Sequence, residues 1–159
     1  DRRTGRGGNW RRRVDYGGKL FTIYKFRTMY VRPVEEQVWA TKNDPRITPL
    51  GRILRKYRID ELPQLVNVLR GDMSFVGPRS EREELVCIFQ RDVPFYRARM
   101  LVKPGITGWA QIHQNYAETV AETAIKLEYD LYYIENASIL MDISILLRTV
   151  TSVLGFKGR

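Results

Sequence analysis

Residues 55–79 read RKYRIDELPQLVNVLRGDMSFVGPR. Asp60 is a good N-cap and Pro63 fits a first helical turn, so a helix is expected there. Leu62, Leu65, Val66 and Leu69 recur at helical spacing as its apolar face, and Gly71 ends it. Gly71, Gly77 and Pro78 then bracket a short apolar piece and present Arg79. The adjacent carboxylates Asp60 and Glu61 thus stand between clusters of arginine. Such a pair suits phosphate chemistry with a divalent cation: arginines hold the anion, carboxylates hold a metal or attack phosphorus. The same pair also suits a plainer use, an N-cap with a first-turn acid that complements the helix dipole. Side chains one residue apart on a helix diverge by roughly 100°, so both reach one ligand only at a frayed end. Arg79 either clamps phosphate bidentately from a rigid turn or decorates a tight surface connection.

On the N-terminal side, Leu20 to Met29 is β-branched and aromatic and reads as a strand. Asp15 to Gly18 is a turn signal, so a hairpin with Trp10 to Val14 is expected, after a Gly/Arg-rich loop over 1–18. Lys25 and Arg27 share a face of that strand, either one wall of a phosphate pocket or a solvated surface. Asn43-Asp44-Pro45 is a turn. Thr48-Pro49 starts a short helix with Leu50, Ile53, Leu54 and Tyr57 in phase. Arg52, Arg55, Lys56 and Arg58 make a basic turn just before Asp60, facing solvent or anionic lipid headgroups.

On the C-terminal side, Ser80-Glu81-Arg82-Glu83 has a capping-box pattern and opens a helix to Phe89. Pro94 interrupts it, and Phe95 to Leu101 reads as another short helix. Lys103 to Gly108 is turn-rich, and Trp109 to Ile112 reads as a short strand. Glu118 to Tyr133 is helical, with Val120, Ala124, Leu127, Leu131 and Ile134 along one stripe. Tyr129 to Tyr133 reads as its packing edge. Ser138 to Leu154 is the last helix. Its stripe of Ile139, Ile143, Leu146, Leu147, Val150 and Leu154 is core by default, with a membrane interface as the alternative. The fold expected is α+β: one helix-rich domain over 1–159 with a small β-hairpin and amphipathic surface helices.

Hydrophobic residues at 43% and aromatics at 11% exclude a disordered chain. Cys87 is the only cysteine, which rules out an internal disulfide and fits a reducing compartment. His113 is the only histidine and reads as structural or solvated. A His/Cys zinc site is therefore not expected, and any metal should be a hard, oxygen-bound one such as Mg²⁺. Net charge is +9, and residues 1–60 carry 16 Lys/Arg against 6 Asp/Glu. That block points to nucleic acid, an anionic membrane face or a phosphorylated ligand. No helix-turn-helix, zinc or RNA-recognition signature is readable, which argues against nucleic acid. No stretch reaches the ~18–20 apolar residues of a membrane span. The opening Asp1-Arg2-Arg3, without an initiator Met, suggests a fragment.

Six stretches taken together resemble a known family: Tyr24 to Met29, Asn43 to Thr48, Asp60 to Gln64, Gly71 to Arg79, Lys103 to Gln111 and Tyr129 to Asn136. In this order they look like the catalytic domain of the monotopic phosphoglycosyl transferases, the bacterial sugar transferases. The resemblance implies transfer of a sugar-1-phosphate from a UDP-sugar to a polyprenyl phosphate, at the cytoplasmic face of the bacterial inner membrane. UMP leaves, in a first membrane step of exopolysaccharide or glycoconjugate assembly. By motif it implies Asp60 as nucleophile, forming an aspartyl phosphosugar, and Glu61 as ligand of a Mg²⁺ cofactor. It implies Lys25, Arg55 and Arg79 as the phosphate-binding residues. It further implies a membrane-inserting segment upstream of this chain; no nucleic-acid partner is expected, and the sequence leaves open whether the protein is an oligomer. The chain departs from the family pattern at Ser80, where a second proline is usual and the turn is expected to loosen. It departs again at Ile112-His113-Gln114-Asn115, where a usual arginine is missing. A basic nucleic-acid-binding module, or a non-catalytic membrane or assembly module with a degenerate site, are the competing readings.

Overall fold

A computed structural model describes residues 20–30, 44–114 and 119–154. Helix α1, Pro49–Lys56, starts as the sequence leads one to expect. Thr48 accepts a hydrogen bond from Gly51 N–H at 2.9 Å, and Pro49 occupies the position where a missing N–H costs nothing. Arg58 then adopts a left-handed conformation, φ 54°, and turns the chain into a 3₁₀ turn, Ile59–Glu61. Helix α2, Gln64–Leu69, begins only after Pro63. Asp60 is therefore not its N-cap: the left-handed residue has already committed Asp60 to the preceding turn. Gly71 stops α2 with φ 78°, a conformation glycine adopts without steric cost.

Strand β1, Ser74–Val76, leads through the Gly77-Pro78-Arg79 turn to helix α3, Glu83–Asp92. A 3₁₀ helix, Tyr96–Leu101, follows, then strand β2, Gly105–Thr107. Helices α4, Trp109–His113, α5, Val120–Asn136, and α6, Ile139–Leu154, complete the order. The expected capping box at Ser80 does not form. Helix α3 begins only after Arg82, so Glu83 is its first residue rather than the third that a box with Ser80 requires, and no side chain caps it. A true capping box sits at the start of α5, between Thr119 and Glu122.

The class is α+β and helix-rich, but the sheet is not the expected hairpin. β1 and β2 pair in parallel, Ser74 with Gly105 and Val76 with Thr107. Leu20 to Tyr30 forms no regular strand, and among the described residues its one bridge joins Met29 with Ile47. Its main chain finds irregular partners: Phe26 N–H donates to Asp60 O, and Thr48 N–H donates to Thr28 O. The expected partner arm at 10–14 and its turn at 15–18 lie outside the described residues. Trp109 to Ile112 is helix rather than strand; Ile112 N–H reaches back to Gly108 O at 3.2 Å. A run that short carries no periodicity able to separate the two states.

Two buried clusters hold these pieces. Val86, Phe89, Val93, Tyr96 and Leu127 join α3, the 3₁₀ helix and α5. Val76, Tyr133 and Ile145 join β1, α5 and α6. Among the described side chains of α6 only Ile145 is fully buried; Ile139, 79% exposed, and Leu147, 64% exposed, from the stripe expected to be core, face outward. Helix α2 is inverted in the same sense. Leu65, Val66 and Leu69 are exposed, while Gln64 and Asn67 are buried. Periodicity locates both stripes, and neither is core. No helix among the described residues is long and apolar enough to cross a membrane.

The β1–β2 pair is packed backbone on backbone. A Cβ on Gly105 would lie 2.2 Å from Gly77 N, 2.4 Å from Thr107 O and 2.6 Å from Val76 C. All three are main-chain atoms that no rotamer change can move. Gly105→Ala is expected to cost about 3 kcal/mol or more in urea unfolding; a cost below about 0.5 kcal/mol would mean the strands can part freely.

Candidate active site

Glu61 is the centre of the charged cluster. The 3₁₀ turn carries it inward until it is 8% exposed. Its Oε1 accepts from Lys25 Nζ at 3.0 Å and from Arg79 Nη2 at 2.6 Å. Burial alone would raise the Glu61 carboxyl, but the charges of Arg79 and Lys25 outweigh it and hold the group at about 2. Burial, reinforced by the like charge of Arg79, keeps the Lys25 ammonium below its ordinary value despite the pull of Glu61.

Asp60 lies half-buried beside it. Burial, then the neighbouring charge of Glu61, pushes its carboxyl above the usual carboxylate value, while Lys25 and Arg55 pull it back. The two adjacent acids are thus tuned apart: Glu61 is fixed as an anion, and Asp60 is a less stabilised, more basic carboxylate. Such separation marks sites of chemistry more often than simple caps. Arg55, in the last turn of α1, also acts on buried Asp44, which its neighbour Arg46 holds at about 2.

Three elements far apart in sequence therefore supply Lys25, Glu61 and Arg79 to one point, with Asp60 and Arg55 alongside. Arg27, on the same expected face as Lys25, is exposed. Arg79 is aimed by the strand pair. Gly77 N–H donates to Thr107 O, Gly105 N–H donates to Pro78 O, and Arg79 bridges Gly105. Lys25 is aimed by Asn67, a residue that the sequence reading passed over. Asn67 is wholly buried in α2; its Oδ1 accepts from Tyr24 N–H at 3.1 Å and its Nδ2 donates to Thr22 O at 2.7 Å. One carboxamide thus does for the Lys25 segment what a neighbouring strand would do. The signal was an asparagine placed mid-helix, where such residues are disfavoured unless a side-chain bond requires them.

The donor set fits Mg²⁺ in a particular way. Among the described residues no cluster of three or more ligating groups exists, so no all-protein cage is built. Two adjacent carboxylates, one held ionised, match the way Mg²⁺ is bound by one or two carboxylates together with substrate phosphates. Since Arg55 lowers the Asp60 pKa, Arg55→Met is expected to shift the acid limb of the pH–rate profile toward neutrality. Rate measurements across the acid range check this; an unmoved or lowered limb would remove Arg55 from the field of Asp60.

His113 has a structural setting. Its Nδ1 lies 2.9 Å from Trp109 O, and its ring stacks on Tyr129. Beside it, Gln114 Nε2 donates to Glu122 O. These contacts occupy part of the stretch at which the chain departs from the family pattern.

A family model for the bacterial sugar transferases matches residues 8–156. A UDP-N-acetylgalactosamine-undecaprenyl-phosphate N-acetylgalactosaminephosphotransferase of Aeromonas hydrophila is 46% identical over 149 residues, covering 92% of this chain and 35% of the relative. A UDP-glucose:undecaprenyl-phosphate glucose-1-phosphate transferase of Xanthomonas campestris pv. campestris is 43% identical over 150 residues, 92% of this chain and 31% of the relative. An enzyme of that description from Caulobacter vibrioides is 45% identical over 141 residues, 87% of this chain and 53% of the relative. The chain thus spans about a third to a half of the length of these curated relatives.

Proposed function

The chain belongs to the bacterial sugar transferase family, and from that premise we propose that it is the catalytic domain of a phosphoglycosyl transferase. It moves a sugar-1-phosphate from a UDP-sugar to a polyprenyl phosphate at the cytoplasmic face of the bacterial inner membrane. The observation that carries the reading is the convergence of Lys25 and Arg79 on Glu61, beside an Asp60 carboxylate of raised pKa. The relatives' names support the substrate classes, since each acts with undecaprenyl phosphate and a UDP-sugar.

In the first step an Asp60 oxygen attacks the phosphorus that bears the sugar. The bond from that phosphorus to the UMP oxygen breaks, and UMP leaves with the electron pair. In the second step an oxygen of the polyprenyl phosphate attacks the same phosphorus, and the bond to Asp60 breaks and restores the carboxylate. Lys25, Arg55 and Arg79 bind the phosphate oxygens and offset the repulsion between a carboxylate and a diphosphate. Glu61 would hold Mg²⁺, which when bound neutralises diphosphate charge. The outward apolar faces of α2 and α6, together with the basic residues of α1, support a membrane surface as the place where the lipid acceptor is met.

The test is intact-protein mass after mixing with Mg²⁺ and a panel of UDP-sugars without lipid. The expected result is a phosphosugar adduct with one donor, together with released UMP. No adduct from the full-length, membrane-held protein with any donor would overturn the covalent route.

A further inference from the structure

Beneath Arg79 lies a second arginine that the reaction above does not use. Arg99, in the 3₁₀ helix, is 4% exposed and its partner Asp130, in α5, is 2% exposed. Arg99 Nε donates to Asp130 Oδ2 at 2.8 Å, Nη2 lies 2.7 Å from that oxygen, and Nη1 donates to Tyr96 OH at 2.9 Å. Those bonds would suffice for a core ion pair. Yet Nη2 also donates to the main-chain carbonyl of Arg79, at 2.9 Å. Two residues on, Glu81 is pinned by Lys126 at 2.6 Å and lies 3.7 Å from Arg99. The segment is therefore held at the Arg79 carbonyl and at the Glu81 carboxylate, while the Arg79 side chain reaches to Glu61.

We propose that Arg99, seated on Asp130, is a positioning residue that fixes the main chain at Arg79 and so aims its guanidinium at the substrate diphosphate. This rests on the reading of Arg79 as a phosphate ligand. A forked, always-charged donor suits that role, because it can satisfy a carboxylate, a hydroxyl and a carbonyl together. Lysine in its place keeps the charge opposite Asp130 and loses the fork.

A second device could fix the same torsion. A proline at position 80 restricts residue 79 to extended backbone, and Arg79 is already bridged to Gly105 as a strand would be. The experiment is therefore a cycle of Arg99→Lys, Ser80→Pro and the double variant in the full-length protein. It reads kcat and KM for UMP release, the Kd for UDP with Mg²⁺, and Tm.

A misplaced ligand can cost about 10²-fold in rate, so Arg99→Lys should lower kcat/KM about tenfold or more and weaken UDP binding. Ser80→Pro should recover at least about threefold of that in the double variant, and change the parent less than about twofold. A purely structural Arg99 would lower Tm and show no rescue, which overturns the proposal, as would unchanged kinetics in Arg99→Lys. Should Arg99→Lys fail to fold, Tyr96→Phe removes one bond from the guanidinium and spares the ion pair. It should give a smaller loss with the same rescue, and no rescue again overturns the proposal. Parent protein that neither binds UDP nor releases UMP would instead overturn the function on which this inference stands.

Discussion

Asp60→Asn leaves the fold intact and abolishes both the phosphosugar adduct and UMP release, with every donor that the parent accepts. An amide oxygen is a far weaker nucleophile than a carboxylate, and removing a nucleophile outright costs on the order of 10³-fold or more. Little structural loss should accompany it. The contact that Asp60 makes to the Lys25 segment runs through its main-chain carbonyl, which accepts from Phe26 N–H at 3.0 Å and survives the substitution. Relief of a half-buried carboxylate of raised pKa should even stabilise the protein slightly above that pKa. Intact mass, UMP release and Tm together decide it. A variant that still forms the adduct would move the nucleophile elsewhere.

Glu61→Gln should be nearly as severe, for a different reason. It leaves Lys25 and Arg79 without the anion between them and removes the proposed metal ligand. A loss of about 10²-fold in kcat is expected, with a weakened Mg²⁺ dependence. The stability effect has a definite pH signature. The Glu61 carboxyl is lowered from 4.5 to about 2 in the folded state. Its contribution is therefore fully present above pH 4.5 and is lost as pH falls toward 2. Because solvent reaches Lys25 and Arg79, that contribution is discounted to about 1–2 kcal/mol. Parent and variant should differ by that amount in denaturant unfolding at pH 7 and converge in strong acid. An unchanged Mg²⁺ titration would place the metal on other groups, and a pH-independent gap in stability would mean that the charge of Glu61 is not what the fold uses.

Helix boundaries were legible wherever a cap or a glycine writes them locally: Thr48-Pro49 before α1 and Gly71 after α2. They were not legible where the chain places the start elsewhere: α3 begins at Glu83, past the Ser80 that the pattern offered as its cap, and the left-handed Arg58 puts Asp60 in the turn before α2. Hydrophobic periodicity located the stripes of α2 and α6 but carried no information about which side is dry. Asn67 reversed α2 because its carboxamide is needed inside. The sequence pointed to Lys25, Glu61 and Arg79, which the fold brings together, as residues of one family pattern. Their supports were less legible: Asn67 and Arg99 fall outside the family stretches, Asp130 falls inside one but read as part of a packing edge, and buried polar side chains have no period.

The parallel pairing of β1 with β2 also sets an order of events during folding. Ser74 must find Gly105 across α3 and the 3₁₀ helix, so loop closure has to precede any reward from the pairing. Helices α1, α5 and α6 need only neighbours along the chain. Helical content should therefore return early in refolding, while the turn that presents Arg79 matures late. A newly made chain would pass through a stage that is already helical and still unable to hold a diphosphate.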